Sequence, residues 1–168
     1  MPFSDPMADG PTIQLSSIRA IKQGINLNHI FAICKDIRRT NNKIPIVLMG
    51  YYNVIFHYGI EKFVRECKKN GIDGLIVVDL QPEEDPELLS AIKLTELDLI
   101  RLITPTTNPE RLKTILKNSS GFLYYVTITG ITGQHSAEMK ELYKSINEIK
   151  KYTELPIVAG FGIKNEKH

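Results

Sequence analysis

Gly74-Leu75-Ile76-Val77-Val78-Asp79-Leu80-Gln81-Pro82 is the stretch from which the architecture is read. Its apolar run does not alternate with polar residues, as expected of a strand covered on both faces in a parallel sheet. The run then breaks into an acid, a glutamine and a proline, so the carboxyl end of the strand carries an elaborated loop. Residues 44–49, 98–103, 122–127 and 156–159 have the same character as residues 74–80. Segments of helical spacing separate these runs. Ile30, Ile33, Cys34 and Ile37 share one helix face, and Phe63, Val64 and Cys67 share the next, ahead of a stop at Asn70-Gly71. Leu88, Leu89 and Ile92 mark a third, Leu112, Ile115 and Leu116 a fourth, and Leu142, Ile146 and Ile149 a fifth. Asn108-Pro109-Glu110 reads as a cap followed by proline at the first helical position.

A repeat of strand, loop, helix and strand implies a parallel sheet with right-handed crossovers. An open doubly wound sheet and a (β/α)8 TIM barrel both carry it. No strand is followed by a glycine-rich dinucleotide turn. Unusual residues instead follow nearly every strand: Gly50-Tyr51-Tyr52-Asn53, Thr104-Pro105-Thr106-Thr107, Thr129-Gly130-Ile131-Thr132-Gly133 and Gly160-Phe161-Gly162. Elaboration at each carboxyl end is barrel behaviour. The expected fold is therefore α/β, a (β/α)8 TIM barrel incomplete in this chain, forming one partial domain over residues 1–168. A complete barrel takes about 250 residues.

Composition narrows the classes. At 168 residues, 42% hydrophobic and 24% charged, the chain suits a globular domain with a real core. Twenty-one basic against nineteen acidic residues give a net charge of +2, which recommends neither nucleic acid nor an anionic membrane as partner. The longest apolar stretch, residues 44–49, contains Pro45 and is far short of a membrane span. A cytoplasmic setting is expected. Cys34 and Cys67 lack a CxxC pattern and read as reduced, partly buried thiols. His29, His57, His135 and His168 are scattered without metal-ligand spacing, and no metal is expected.

The opening residues, 1–14, hold Pro2, Pro6, Pro11, Gly10, Asp5 and Asp9, and read as a rigid segment that is neither helix nor strand. Rigid, acid-bearing loops are where enzymes place chemistry. The run Pro2-Phe3-Ser4-Asp5-Pro6-Met7-Ala8-Asp9-Gly10-Pro11-Thr12-Ile13-Gln14 resembles the loop after the second barrel strand of the tryptophan synthase alpha chain family. The resemblance continues through Leu48-Met49-Gly50-Tyr51-Tyr52-Asn53, residues 74–80 and Pro82-Glu83-Glu84. It then takes in Pro105-Thr106-Thr107, Gly121-Phe122-Leu123-Tyr124-Tyr125-Val126, Gly130-Ile131-Thr132-Gly133 and Gly160-Phe161-Gly162-Ile163. By this alignment residues 156–159 are the seventh barrel strand, and strands one, two and eight lie outside the chain. The family's Asp-Leu-Pro is Asp79-Leu80-Gln81 here.

The resemblance implies a site. Asp9 matches the catalytic aspartate that accepts a hydrogen bond from the indole nitrogen of indole-3-glycerol phosphate. A carboxylate suits that role because the bond strengthens as positive charge develops on the ring. The family's second carboxylate, a proton-shuttling glutamate, belongs just ahead of Pro2, where only Met1 stands. Glu83 and Glu84 open a helix and look like no substitute. Met49, Tyr51, Ile76, Tyr124, Thr132 and Phe161 match substrate-binding positions, Tyr124 facing inward and Tyr125 packing outward. Gly133 and Gly162 match phosphate-binding positions. Asp5, Pro6 and Gly130 match the interface with the beta chain, which carries pyridoxal phosphate; the alpha chain needs no cofactor of its own. The implied activity is a lyase of tryptophan biosynthesis, within an α2β2 assembly. The alternative is a catalytically inactive truncated alpha chain that persists as a partner-binding remnant. Another phosphate-binding barrel enzyme of amino-acid or vitamin biosynthesis is a weaker third.

Overall fold

The structure, a computed structural model, describes residues 1–126 and 135–160, the side chains of residues 135–139 excepted. The chain resolves into two compact units, Met1–Leu99 and Ile100–His168, whose boundary falls inside a strand and not at a linker.

The first unit opens on a loop and runs through α1 (Pro11–Lys22), α2 (Leu27–Thr40), β1 (Val47–Gly50), α3 (Tyr52–Tyr58), α4 (Ile60–Lys69), β2 (Gly74–Val77) and α5 (Pro86–Ile92). β1 and β2 pair in parallel, with Leu48 beside Leu75, Met49 beside Ile76 and Gly50 beside Val77. Period-2 alternation sends Leu48, Leu75 and Val77 to the helical side. There they meet Phe31 and Cys34 of α2, Phe63, Val64 and Cys67 of α4, and Leu88 and Ile92 of α5. The rings of Phe31 and Phe63 lie 5.8 Å apart, and Tyr58 stands edge-on to Phe31 at the same distance. Met49 and Ile76 face the other way. Burial pushes the Cys67 thiol up to about 12, so it stays protonated and acts as a small apolar group.

β3 (Asp98–Ile103) begins in the first unit, where the Asp98 N–H donates to Asp73 O at 2.8 Å and lies beside β2. The second unit continues with α6 (Pro109–Leu116), β4 (Leu123–Val126), α7 (His135–Ile149) and β5 (Ile157–Gly160). β3 pairs β4, and β4 pairs β5, again in parallel. Ile103, Leu112, Ile115, Leu123 and Tyr125 form its core. Asn108 caps α6 by accepting from the Arg111 N–H at 2.8 Å, with Pro109 in the first turn. Strand order follows chain order without the reversal that marks a doubly wound sheet, which is the arrangement of a barrel wall.

Several expectations are corrected. Residues 11–14 are helical, because Pro11 presets φ for the first turn of α1. The buried face of α2 is Leu27, Phe31 and Cys34, while Ile33 and Ile37 are exposed. Packing decides this, since Leu27, Phe31 and Cys34 join the core with Leu48, Phe63 and Cys67. Asn26 Oδ1 accepts from the Asn28 N–H, and the Asn26 N–H donates to His29 Nδ1, which fixes where the helix starts. β1 starts at Val47, not residue 44. Pro45 has no N–H for the ladder, and the side chain of Ile44 stays half exposed. β2 ends at Val77; beyond it the Val78 N–H still donates to Gly50 O at 2.9 Å before Asp79 turns away.

One clasp ties α2 to the strand entries. Arg38 donates from Nε to Gly71 O at 2.7 Å, from Nη1 to Ile44 O at 2.5 Å, and from Nη2 to the Asp73 carboxylate at 2.5 Å. Asp73 also accepts from the Ile46 N–H at 2.6 Å, so two strand entries share one carboxylate. Gly71 sits at φ +71°, and a Cβ there would stand 2.8 Å from the Arg38 stem, so glycine serves both the turn and the clasp. Arg38→Met, which keeps the stem but strands two carbonyls, should lower unfolding stability by about 2 kcal/mol. Urea denaturation checks this; a loss below about 0.5 kcal/mol, the scale of an ordinary surface change, would reduce the clasp to an incidental contact.

Candidate functional site

The opening loop folds onto the carboxyl end of β1. The Met1 nitrogen donates to Met49 O at 2.6 Å, and the ring of Phe3 packs against that of Tyr51 with centroids 5.3 Å apart. The Ala8 N–H donates to the Tyr51 hydroxyl at 3.0 Å. The Asp9 N–H closes a turn on Pro6 O at 3.4 Å, and Asp9 O accepts from Gln14 Nε2 at 2.9 Å. These bonds carry the loop directly into α1, whose Ser17 and Ala20 form the opposite wall.

A cleft of about 310 Å³ lies between loop, helix and strand ends, lined by Asp9, Met49, Tyr51 and Val78 together with Ser17 and Ala20. Met49 is 41% exposed into this region, whereas Tyr51 is only 3% exposed. Ile76, beside Met49 in the sheet register, is buried and does not line the cleft. Burial is the main cause that pushes the Tyr51 phenol up. The Ala8 N–H works against it, while the charge of Asp9, a hydrogen bond to the Asp9 side chain and the charge of Asp79 add to it. The phenol therefore stays protonated and is a donor throughout the physiological range. The arrangement offers one carboxylate acceptor above an apolar, aromatic-walled cleft, suited to a flat ring with an N–H.

Asp79 has a structural task. Its Oδ1 accepts from the Tyr52 N–H at 2.7 Å, which supplies α3 with the cap its own preceding residue, Tyr51, does not provide. Gln81 in place of the family's proline leaves that contact in place. Asp5 is exposed and accepts from Ser4 Oγ. Pro6 is buried within the chain. His29 and His57 are exposed, and no cluster of three or more metal-ligating side chains occurs among the described residues. No helix among them is long and apolar enough to cross a membrane.

In the second unit Tyr125 packs into the helical core, 3% exposed, and Tyr124 faces the opposite side of β4. Tyr124 leans over the end of β5, where a Cβ built on Gly160 would come within 2.0 Å of its hydroxyl oxygen. Thr132, Phe161, Gly130, Gly133 and Gly162 lie outside the described residues.

The reading of the sequence passed over two contributors to the cleft. Phe3 had a signal, an aromatic side chain inside a proline-rich loop. The Ser17–Ala20 wall had one too, since proline at a first helical position announced α1.

A parallel sheet taken in chain order, with functional side chains at the strand ends, defines a (β/α) barrel chain. A sequence model of the tryptophan synthase alpha chain family matches residues 1–168. The chain belongs to that family. A solved alpha chain from Legionella pneumophila is 34% identical, with a TM-score of 0.86 over 99% of this chain and 60% of its own. The alpha chain in a Pyrococcus furiosus α2β2 complex, studied for mutual activation, is 39% identical with a TM-score of 0.88, over 99% of this chain and 67% of its own. Another Pyrococcus furiosus tryptophan synthase complex matches at 36% identity and a TM-score of 0.86, over 99% and 66%. The present chain thus spans roughly three fifths to two thirds of its relatives' length, and the sheet is part of a TIM barrel.

Gly160 generates a test. Gly160→Ala should displace the Tyr124 ring and lower the melting temperature, because the new methyl group occupies the place of the phenol. Tyr124→Ala in the same chain should recover most of that loss. A double variant as unstable as Gly160→Ala alone would locate the defect in the backbone of β5.

Proposed function

We propose that this chain is the alpha subunit of a tryptophan synthase, a cytoplasmic lyase that splits indole-3-glycerol phosphate into indole and glyceraldehyde 3-phosphate by retro-aldol cleavage. The observation that carries the reading is the Asp9 carboxylate above the cleft walled by Tyr51 and Met49, in a chain of this family. Protonation of the indole ring places positive charge on its nitrogen, and a fixed carboxylate at that nitrogen stabilises the charge as it forms. Met49 and Tyr51, with Ile76 behind them, supply apolar cover for a flat ring. Tyr124, Thr132 and Phe161 complete substrate contact in this reading, and Gly133 and Gly162 hold phosphate through backbone N–H groups. The reaction needs no cofactor in this chain. Indole passes to a beta chain, where pyridoxal phosphate supplies the electron sink for the second half-reaction.

A second reading is a chain that binds the beta subunit without cleaving substrate. One assay separates the two. The chain is incubated with indole-3-glycerol phosphate, with and without beta chain, and indole release is followed. Release that Asp9→Ala cuts a few hundredfold, about 3–4 kcal/mol of lost stabilisation, supports the lyase. A loss under about tenfold reduces Asp9 to a turn residue. Binding to the beta chain with no release supports the second reading.

Partner contact is tested at Asp5, the exposed acid of the same rigid loop. Asp5→Ala should weaken activation by the beta chain while leaving the lone subunit's slow cleavage nearly unchanged, since an exposed acid is free to meet a partner. Equal losses with and without the beta chain would move Asp5 into the chemistry or into folding.

A further inference from the structure

We propose that Tyr51 is a positioning residue whose hydroxyl fixes the carboxylate of Asp9, acting as a latch between the end of β1 and the opening loop. This rests on the reading of Asp9 as the group that meets the substrate, and it gives Tyr51 a task apart from lining the cleft.

The geometry comes from both sides of one oxygen. The hydroxyl accepts from the Ala8 N–H at 3.0 Å, which fills its acceptor position with the residue directly before Asp9. Its own hydrogen remains to be donated, and Asp9 lines the same cleft, its charge pushing the ionisation of the phenol to higher pH. The phenol thus holds the residue directly before Asp9 and faces the cleft that Asp9 lines. The ring does not follow the loop if the loop moves, because it is 3% exposed. The backbone below it is fixed as well, since the adjoining Tyr52 N–H is bonded to Asp79 at 2.7 Å.

The loop needs such a latch. Apart from Pro6, residues 4–8 are exposed, and the turn bond from the Asp9 N–H to Pro6 O is long at 3.4 Å. An acid on a loop of this kind sweeps a wide range of positions unless its side chain is held. Catalysis by a fixed charge depends on that charge being in place before the reaction, so loosening it costs turnover more than binding. Tyr51→Phe is the appropriate probe: the ring stays against Phe3, and only the oxygen is removed.

The charges facing the phenol are Asp9 from the loop and Asp79 from the end of β2. A tyrosine titration can therefore report the latch directly, without reference to activity. In protein labelled at tyrosine ¹³Cζ, the Tyr51 resonance is assigned by its loss in Tyr51→Phe, and its ionisation is followed with pH. Asp9→Asn should shift that ionisation to lower pH, because it removes a charge that holds the phenol protonated. Asp9→Glu, which keeps a carboxylate, should restore part of the shift. A Tyr51 ionisation indifferent to both substitutions overturns the proposal.

Indole release supplies the second arm. Tyr51→Phe should lower kcat roughly tenfold with KM nearly unchanged, the scale of one hydrogen bond to a charged group. In an Asp9→Ala background the same substitution should add almost nothing. If Asp9→Ala itself leaves release intact, the lyase reading fails, and the titration still decides the latch. If Asp9→Ala cuts release a few hundredfold while the Tyr51→Phe loss persists undiminished in the double variant, the lyase reading stands and the latch is wrong.

Discussion

Parallel strands must be covered on both faces, and much of this structure follows from that constraint. On one side of β1 and β2, Leu48, Leu75 and Val77 meet a continuous apolar layer of Phe31, Phe63, Cys67 and Leu88. On the other side Ile76 is closed over, while Met49 remains partly open. The same division recurs in the second unit, where Leu123 and Tyr125 enter the helical core and Tyr124 turns away. The helical side is therefore devoted to stability, and the opposite side, at its carboxyl end, is free to carry chemistry.

The site depends on chain that has little fold of its own. Residues 1–10 contain no helix or strand, and α1 buries none of its side chains. Loop and helix are held by a small number of polar contacts: Ala8 to Tyr51, Met1 to Met49, and Gln14 back to Asp9. Segments anchored this sparsely lie at the low end of local stability, where binding loops are commonly found. The bonds converge on residues at the end of β1, so the most rigid part of the unit disciplines its least rigid part.

Polar clasps also explain why some apolar residues sit outside the core. Arg38 and Asp73 bind the carbonyls and N–H groups at the entries to β1 and β2, which leaves Ile44 beside the clasp and half exposed. Asp79 caps α3 in the same manner from a neighbouring strand end. Each is a carboxylate placed where backbone donors would otherwise lack a partner, which is why charged residues recur at strand entries and exits.

Much of this was legible in the residues. The non-alternating runs announced parallel strands because two-sided burial removes polar residues from both faces, and Asn108-Pro109 and Asn70-Gly71 marked a helix start and stop through local backbone preferences. Asp9 and Tyr51 stood out because an acid in a proline-rich loop and an aromatic at a strand end are chemically unusual, and their motifs matched a family. Sequence could not say which face of α2 turned inward. That was set by packing into the core of the first unit, and Leu27, Ile30, Phe31, Ile33, Cys34 and Ile37 offered more than one possible stripe. Nor could it reveal that the Tyr51 hydroxyl meets the Ala8 N–H, 43 positions away in the chain. Periodicity and turn chemistry act over a few neighbours, so the chain alone determines its elements and their order. The meeting of opening loop and strand end at one phenolic oxygen exists only once the chain has folded and brought distant segments together.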